Sequence, residues 1–134
     1  MKKIFFVITI LFFQISFGQD VQVDQEYTAD DVYNSAAVDV KPEFPGGVSE
    51  LYKYVGRNFS MPTYKEFKGG RMIVRFVIEI DGSITHIEVK KDAGFGSKEE
   101  AIRVFKASPK WQPAEKNDQK VRCTYLLPIL LQTK

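Results

Sequence analysis

Residues 71–91, RMIVRFVIEIDGSITHIEVKK, decide the fold. Two runs rich in β-branched and aromatic residues, Arg71 to Ile80 and Ser83 to Lys91, flank Asp81-Gly82, a dipeptide favoured by the two-residue type I′ hairpin turn. Counting outward from that turn pairs Ile80 with Ser83, Ile78 with Thr85, Phe76 with Ile87 and Val74 with Val89 on one face. The other face pairs Glu79 with Ile84, Val77 with His86 and Arg75 with Glu88. The first set is nearly all apolar or β-branched and the second is mixed, so the reading fixes register and buried face together and leaves His86 on the less buried side.

Downstream, Asp92-Ala93-Gly94-Phe95-Gly96 reads as a loop, and Ser97 three residues before Glu100 reads as a capping box. A helix is therefore predicted to start after Ser97, to bury Ala101, Ile102 and Phe105, and to end before Pro109. From Lys120 to about Leu131, Val121, Cys123, Tyr125 and Leu127 alternate with Arg122 and Thr124, which predicts a third strand. Pro128 cannot donate to a ladder, so this strand is at an edge or ends there. Upstream, Pro42-Glu43-Phe44-Pro45-Gly46-Gly47 predicts an extended stretch closing in a glycine turn. Val48, Leu51, Tyr52, Val55 and Phe59 then give a helix over 48–58 with one apolar stripe. A right-handed crossover through the second helix lays the third strand beside the first. The predicted fold class is α+β, a three-stranded antiparallel sheet of order 2-1-3 with two helices packed on one face, its third strand an exposed edge.

The first eighteen residues have the parts of a secretory signal: Lys2-Lys3, an apolar run from Ile4 to Phe13, and small residues Ser16 and Gly18 before Gln19. Ile4 to Gly18 is fifteen residues, short of the roughly 20 that span a bilayer. The expectation is a cleaved signal over residues 1–18, and the alternative is an uncleaved anchor. Residues 19–41 are acidic and aperiodic and read as a flexible tail, with residues 42–134 forming the domain. The charge divides along the chain: residues 19–43 carry seven acids against Lys41, net −6, while residues 44–134 carry sixteen bases against ten acids, net +6. The tail is either a solvated linker or a segment that folds back on the basic domain and competes with acidic partners.

One histidine, His86, excludes a site needing two imidazoles, and one cysteine, Cys123, excludes an internal disulfide. Nothing near Cys123 activates a thiol, so no catalytic pair is assigned. Gly94-Phe95-Gly96-Ser97 precedes a helix, but Glu99 and Glu100 would repel a phosphate. Asp81-Gly82 lacks the acidic neighbours of a calcium loop. The expectations are no enzyme activity, no metal, no cofactor, no small-molecule substrate and no nucleic acid, the bases being scattered among acids. Lys116, Lys120 and Arg122 flank the edge strand, where they either steer an acidic extended peptide or blunt the edge against aggregation.

Several separated motifs together resemble the C-terminal domain of the TonB energy transducers. They are Gly70 to Ile78 with Asp81-Gly82-Ser83-Ile84, Glu99-Glu100-Ala101, Pro109-Lys110-Trp111-Gln112-Pro113-Ala114, and Tyr125-Leu126-Leu127-Pro128-Ile129. Pro42 to Gly47 resembles the version in Bacteroidetes-type members. The resemblance spans residues 42–131 and implies a periplasmic domain that captures the TonB box, a short extended segment at the N-terminus of a TonB-dependent outer-membrane transporter, by strand addition. Carried over, the acceptor is Lys120, Val121, Arg122, Cys123, Thr124, Tyr125, Leu126 and Leu127, with Trp111 and Pro113 packing and turning the chain rather than touching ligand. Met61-Pro62 stands where the family usually has tyrosine before proline. A full transducer keeps a membrane helix and a long linker, whereas a 23-residue tail reaches about 80 Å at most. The expected role is thus a periplasmic binding module in transmembrane transport; the alternatives are an anchored transducer component and a self-pairing homodimeric regulatory domain.

Overall fold

The computed structural model describes residues 31–133. The proposed signal and residues 19–30 of the acidic segment lie outside the described residues. Along the chain come β1 (Val32–Tyr33), a 3-10 turn (Ser35–Ala37), α1 (Val48–Asn58), β2 (Gly70–Ile78), β3 (Ile84–Lys91), α2 (Ser97–Lys106), β4 (Ala114–Lys116) and β5 (Gln119–Leu131). The sheet order is β1-β5-β2-β3, with β4 paired to β5. The three long strands reproduce the predicted 2-1-3 arrangement. The three-stranded, all-antiparallel expectation is corrected by two short strands, one of them, β1, parallel to β5.

One core holds this together. Met72, Val74, Phe76 and Ile78 of β2 and Leu127, Ile129 and Leu131 of β5 point to the face covered by Leu51 and Val55 of α1, Phe59 at its C-terminal cap, and Ala101, Val104 and Phe105 of α2. Alternate strand positions share a face, so the opposite face carries Arg71, Ile73 and Arg75 of β2 and Leu126 and Leu130 of β5, the two leucines 59% and 62% exposed. Both helices therefore sit on one side, as the pattern predicts.

The helices refine their predicted stripes. In α1 the buried positions are Leu51 and Val55, and Phe59 at its C-terminal cap continues the same stripe. Val48 and Tyr52, on the stripe's flank, remain exposed, and Tyr54 packs instead on Phe44 and donates to the Val104 carbonyl of α2 at 2.8 Å. In α2 the cap is Gly96, not Ser97. Ser97 is the first helical residue, is buried, and its hydroxyl accepts from the Ala93 N–H at 3.0 Å, because the loop folds back over the helix start. Val104 takes the core position predicted for Ile102. Glu100 does not cap α2: it accepts from the Ser60 N–H at 2.7 Å and from Arg103, whose guanidinium also donates to the Asn58 carbonyl and ties α2 to the end of α1. The Arg103 hydrogen bond, with the Ser60 amide behind it, holds the Glu100 carboxyl down at about 2.

The hairpin turn differs from the type I′ expectation. Gly82 N–H donates to the Glu79 carbonyl and Glu79 N–H to the Ser83 carbonyl, both at 2.8 Å, so the loop is the three residues Ile80-Asp81-Gly82 with Gly82 at φ +88°. The extra loop residue moves the register by one and pairs Ile78 with Ile84 and Val77 with Thr85. A bulge at His86, itself at φ +50°, moves it back, so Arg75 faces Glu88 and Val74 faces Val89 as predicted. The slip has a clear physical reason: it turns Ile84 toward the core and Thr85 to the outer face. The type I′ turn lies instead at Asn117-Asp118, both at positive φ, between β4 and β5.

Trp111 ties hairpin to helices. It is 4% exposed, with Phe44, Phe76 and Tyr125 around its ring, and its indole N–H donates to the Ser108 hydroxyl at 3.0 Å. Its backbone N–H donates to the Gly82 carbonyl at 2.9 Å, and a Cβ on Gly82 would lie 2.2 Å from the Trp111 carbonyl oxygen. Gly82→Ala therefore meets both a steric overlap with backbone and a disfavoured φ, and is expected to lower stability by about 2–4 kcal/mol in urea unfolding; a loss below about 0.5 kcal/mol would show the contact to be slack.

Candidate binding edge

β5 is thirteen residues long and β2 covers only one side of it, from Cys123 to Leu131. The eight residues expected to form the acceptor fall into three environments. Lys120 and Val121 pair with Glu115 and Ala114 of β4. Arg122 and Cys123 pair with Val32 and Tyr33 of β1. Thr124, Tyr125, Leu126 and Leu127 pair with Val77 to Val74 of β2 and, among the described residues, with no strand on their other side.

Pro128 gives the phase of that open side. It pairs with Ile73, has no N–H, and its carbonyl accepts the Tyr52 hydroxyl at 3.0 Å. Residue 128 therefore directs its backbone polar groups away from β2, which is why a proline is tolerated inside a continuous strand. Because an antiparallel strand alternates which way its N–H and C=O point, Thr124, Leu126 and Leu130 share that direction, while Tyr125, Leu127 and Ile129 bond toward β2. Tyr125 is also in the core, stacked on Phe76 at 5.6 Å. Beyond the Tyr52 bond, a groove of about 310 Å³ lies between α1 and the end of β5, lined by Tyr52, Val55, Phe59, Met61, Ile129 and Leu131 among others. Met61, the departure from the family tyrosine, forms part of this apolar wall.

The basic residues beside the edge are engaged within the chain. Arg122 donates from Nε to a Glu79 carboxylate oxygen at 2.7 Å and from a guanidinium nitrogen to the other at 3.1 Å; Thr85 also donates to that carboxylate. Both side chains are about four-fifths covered, and the Arg122 hydrogen bond, with Thr85 adding to it against the cost of burial, holds the Glu79 carboxyl below its ordinary 4.5. Lys116 donates from Nζ to the Ala37 carbonyl at 3.0 Å and lies 5.9 Å above the Tyr33 ring. Lys120 is exposed. The expectation of a three-residue patch steering an acidic peptide thus narrows to Lys120, because Arg122 and Lys116 serve the fold.

The segment assigned by composition to the flexible tail includes residues 31–41, and these lie along the domain. After β1, Asn34 caps the 3-10 turn through a 2.8 Å bond from the Ala36 N–H, and Tyr33 and Val38 pack on Ala114, Val121 and Cys123. Asp39 and Val40 both donate to the Glu115 carbonyl, Glu115 donates back to Val40, and Asp39 accepts from the Asn117 N–H at 2.8 Å. Glu43 and Gln112 exchange two backbone bonds, so Pro42 to Gly47 delivers Phe44 edge-on to Trp111. The sequence hid the β1 contact because two β-prone residues among acids make no period.

His86 and Cys123 are not brought together: they stand on β3 and β5, with β2 between. Cys123 is fully buried, and burial pushes its thiol up.

The fold is an α+β sheet covered by helices on one face, in which Thr124 to Leu127 of β5 pair with a strand on one side only among the described residues. Residues 63–130, half of the chain, match the family of the Gram-negative bacterial TonB protein C-terminal, and the chain belongs to that family. Membership carries a TonB-type, transport-related role in the cell envelope and, at this coarse level, interaction with outer-membrane transporters. No curated protein and no solved structure matches the chain. Among the described residues no helix is long and apolar enough to cross a membrane.

The Arg122–Glu79 pair gives a pH signature. A carboxyl whose native pKa is lowered adds stability above its unfolded value and loses it as pH falls through the native one. Glu79→Gln is expected to be less stable than the parent at pH 7, with the gap closing as pH falls below 4.5. A gap unchanged down to about pH 2 would mean the ion pair contributes nothing.

Proposed function

We propose that this domain is a periplasmic binding module, not an enzyme, that captures the TonB box of a TonB-dependent outer-membrane transporter as an added strand on Lys120–Leu127. The observation that supports it most is the phase of β5: Thr124 and Leu126 turn their N–H and C=O outward, on a strand long enough to template a partner. Main-chain bonds would give the affinity. Side chains of the added strand would alternate between the outer face, beside exposed Leu126, and the helix face, toward the groove that Tyr52 and Met61 line.

Two measurements test it. Leu126→Pro removes an outward donor while leaving the bonds to β2 in place, and its side chain is exposed, so the variant should fold and lose at least about tenfold in affinity for a synthetic TonB-box peptide. In the peptide, N-methylation at one set of alternate residues should abolish binding while the other set is tolerated, since only every second amide faces the acceptor. Full affinity in the folded proline variant, together with indifference to N-methylation at every position, would exclude strand addition.

A further inference from the structure

The open stretch of β5 is short. Its outward-pointing residues are Arg122, Thr124, Leu126, Pro128 and Leu130; position 122 already faces β1, and the carbonyl at 128 is taken by the Tyr52 hydroxyl. Between these contacts the parallel register also commits the Thr124 N–H to the Tyr33 carbonyl, and the Thr124 carbonyl takes the Cys123 thiol at 3.4 Å, so that Leu126 is the residue that keeps both outward backbone groups open among the described residues, too few for an added strand of ordinary length. A partner strand laid along Lys120–Leu127 must take the place that β1 occupies.

β1 is built to give that place up. It is two residues long, Val32 is 42% exposed, and the 3-10 turn behind it buries no residue. Its contacts with the domain include the pairing with Arg122 and Cys123, the half-buried Tyr33 on Val121 and Cys123, and Lys116 with Tyr33 and the Ala37 carbonyl. The β2–β5 ladder, in contrast, runs unbroken over nine residue pairs in the core. A short segment with few buried apolar positions opens at far lower cost than the sheet it rests on. The next anchor, Asp39-Val40 on Glu115 with the Asp39 bond to Asn117, lies beyond the turn and can stay in place while residues 31–37 swing out.

We infer that Val32–Tyr33 is a resident strand that occupies the acceptor edge in the unliganded protein, so that capture of a partner is a strand exchange. The inference rests on the strand-addition reading and adds its regulation: affinity is reduced by the fraction of molecules in which the edge is covered, and whatever pulls on or binds the segment before residue 31 changes that fraction.

The register supplies a direct test in the full chain. Tyr33 faces Cys123 in a parallel pair, and neighbouring strands lie about 4.8 Å apart, within disulfide range, so Tyr33→Cys creates a lock that oxidation closes and reductant opens. With a synthetic TonB-box peptide as probe, the oxidised variant is expected to bind at least about tenfold more weakly than the same protein reduced. A second variant, Val32→Pro with Tyr33→Pro, removes the N–H groups of β1 and is expected to bind at least about threefold more tightly than the parent. Equal affinity of oxidised and reduced forms, or a double-proline variant no tighter than the parent, would overturn the exchange while leaving strand addition intact. Failure of parent, reduced and double-proline proteins alike to bind would instead remove the strand-addition reading itself.

Discussion

The contact between Gly82 and Trp111 is the constraint on which the arrangement depends. The hairpin turn and the chain leaving α2 approach so closely that no side chain fits at residue 82, and the Trp111 N–H closes the gap on the Gly82 carbonyl. From that point the indole reaches Phe76 in β2, Tyr125 in β5 and Phe44 ahead of α1, three separate parts of the chain fixed by one ring. The chain then passes through Pro113 into β4, turns at Asn117-Asp118 and enters β5 in the register that puts Tyr125 in the core and Leu126 outside. The phase of the outward side of β5 is thus set from the inside, by aromatic packing on the core face of the sheet.

Most of the architecture was legible because its signals are local. Alternation in residues 71–91 and 120–131 located the long strands, the 3.6-residue spacing of Leu51, Val55 and Phe59 located α1, and Pro128 marked the edge. What the sequence concealed depends on tertiary context. A three-residue loop and a two-residue turn are both compatible with Asp81-Gly82, and only the burial of Ile84 over Thr85 selects the longer loop and its compensating bulge. Ser97 has the spacing of a capping box, but the helix start is buried, so its hydroxyl serves Ala93 and Glu100 serves Ser60 and Arg103.

The strand proposed as acceptor was legible in the sequence, and what pairs with it was not. Periodicity and the family resemblance both indicate Lys120–Leu127, yet Val32–Tyr33, too short to carry a period, covers part of it, and Tyr52, read as a core position of α1, instead bonds the edge carbonyl of Pro128. Charge counting misled in the same way. Arg122 and Lys116 look like a basic patch in one dimension, but Glu79 lies across the sheet from one and the Ala37 carbonyl beside the other. An exposed strand edge is an aggregation liability, and β1 of the same chain covers part of it.

The central claim, that a partner strand replaces β1 on the outward side of β5, is tested most directly by cross-strand proton contacts in the isotope-labelled full chain saturated with a TonB-box peptide. The account predicts peptide contacts to Arg122, Thr124 and Leu126 together with loss of those between Val32 and Arg122. Peptide contacts confined to other surfaces, with the Val32–Arg122 pairing undisturbed, would contradict it.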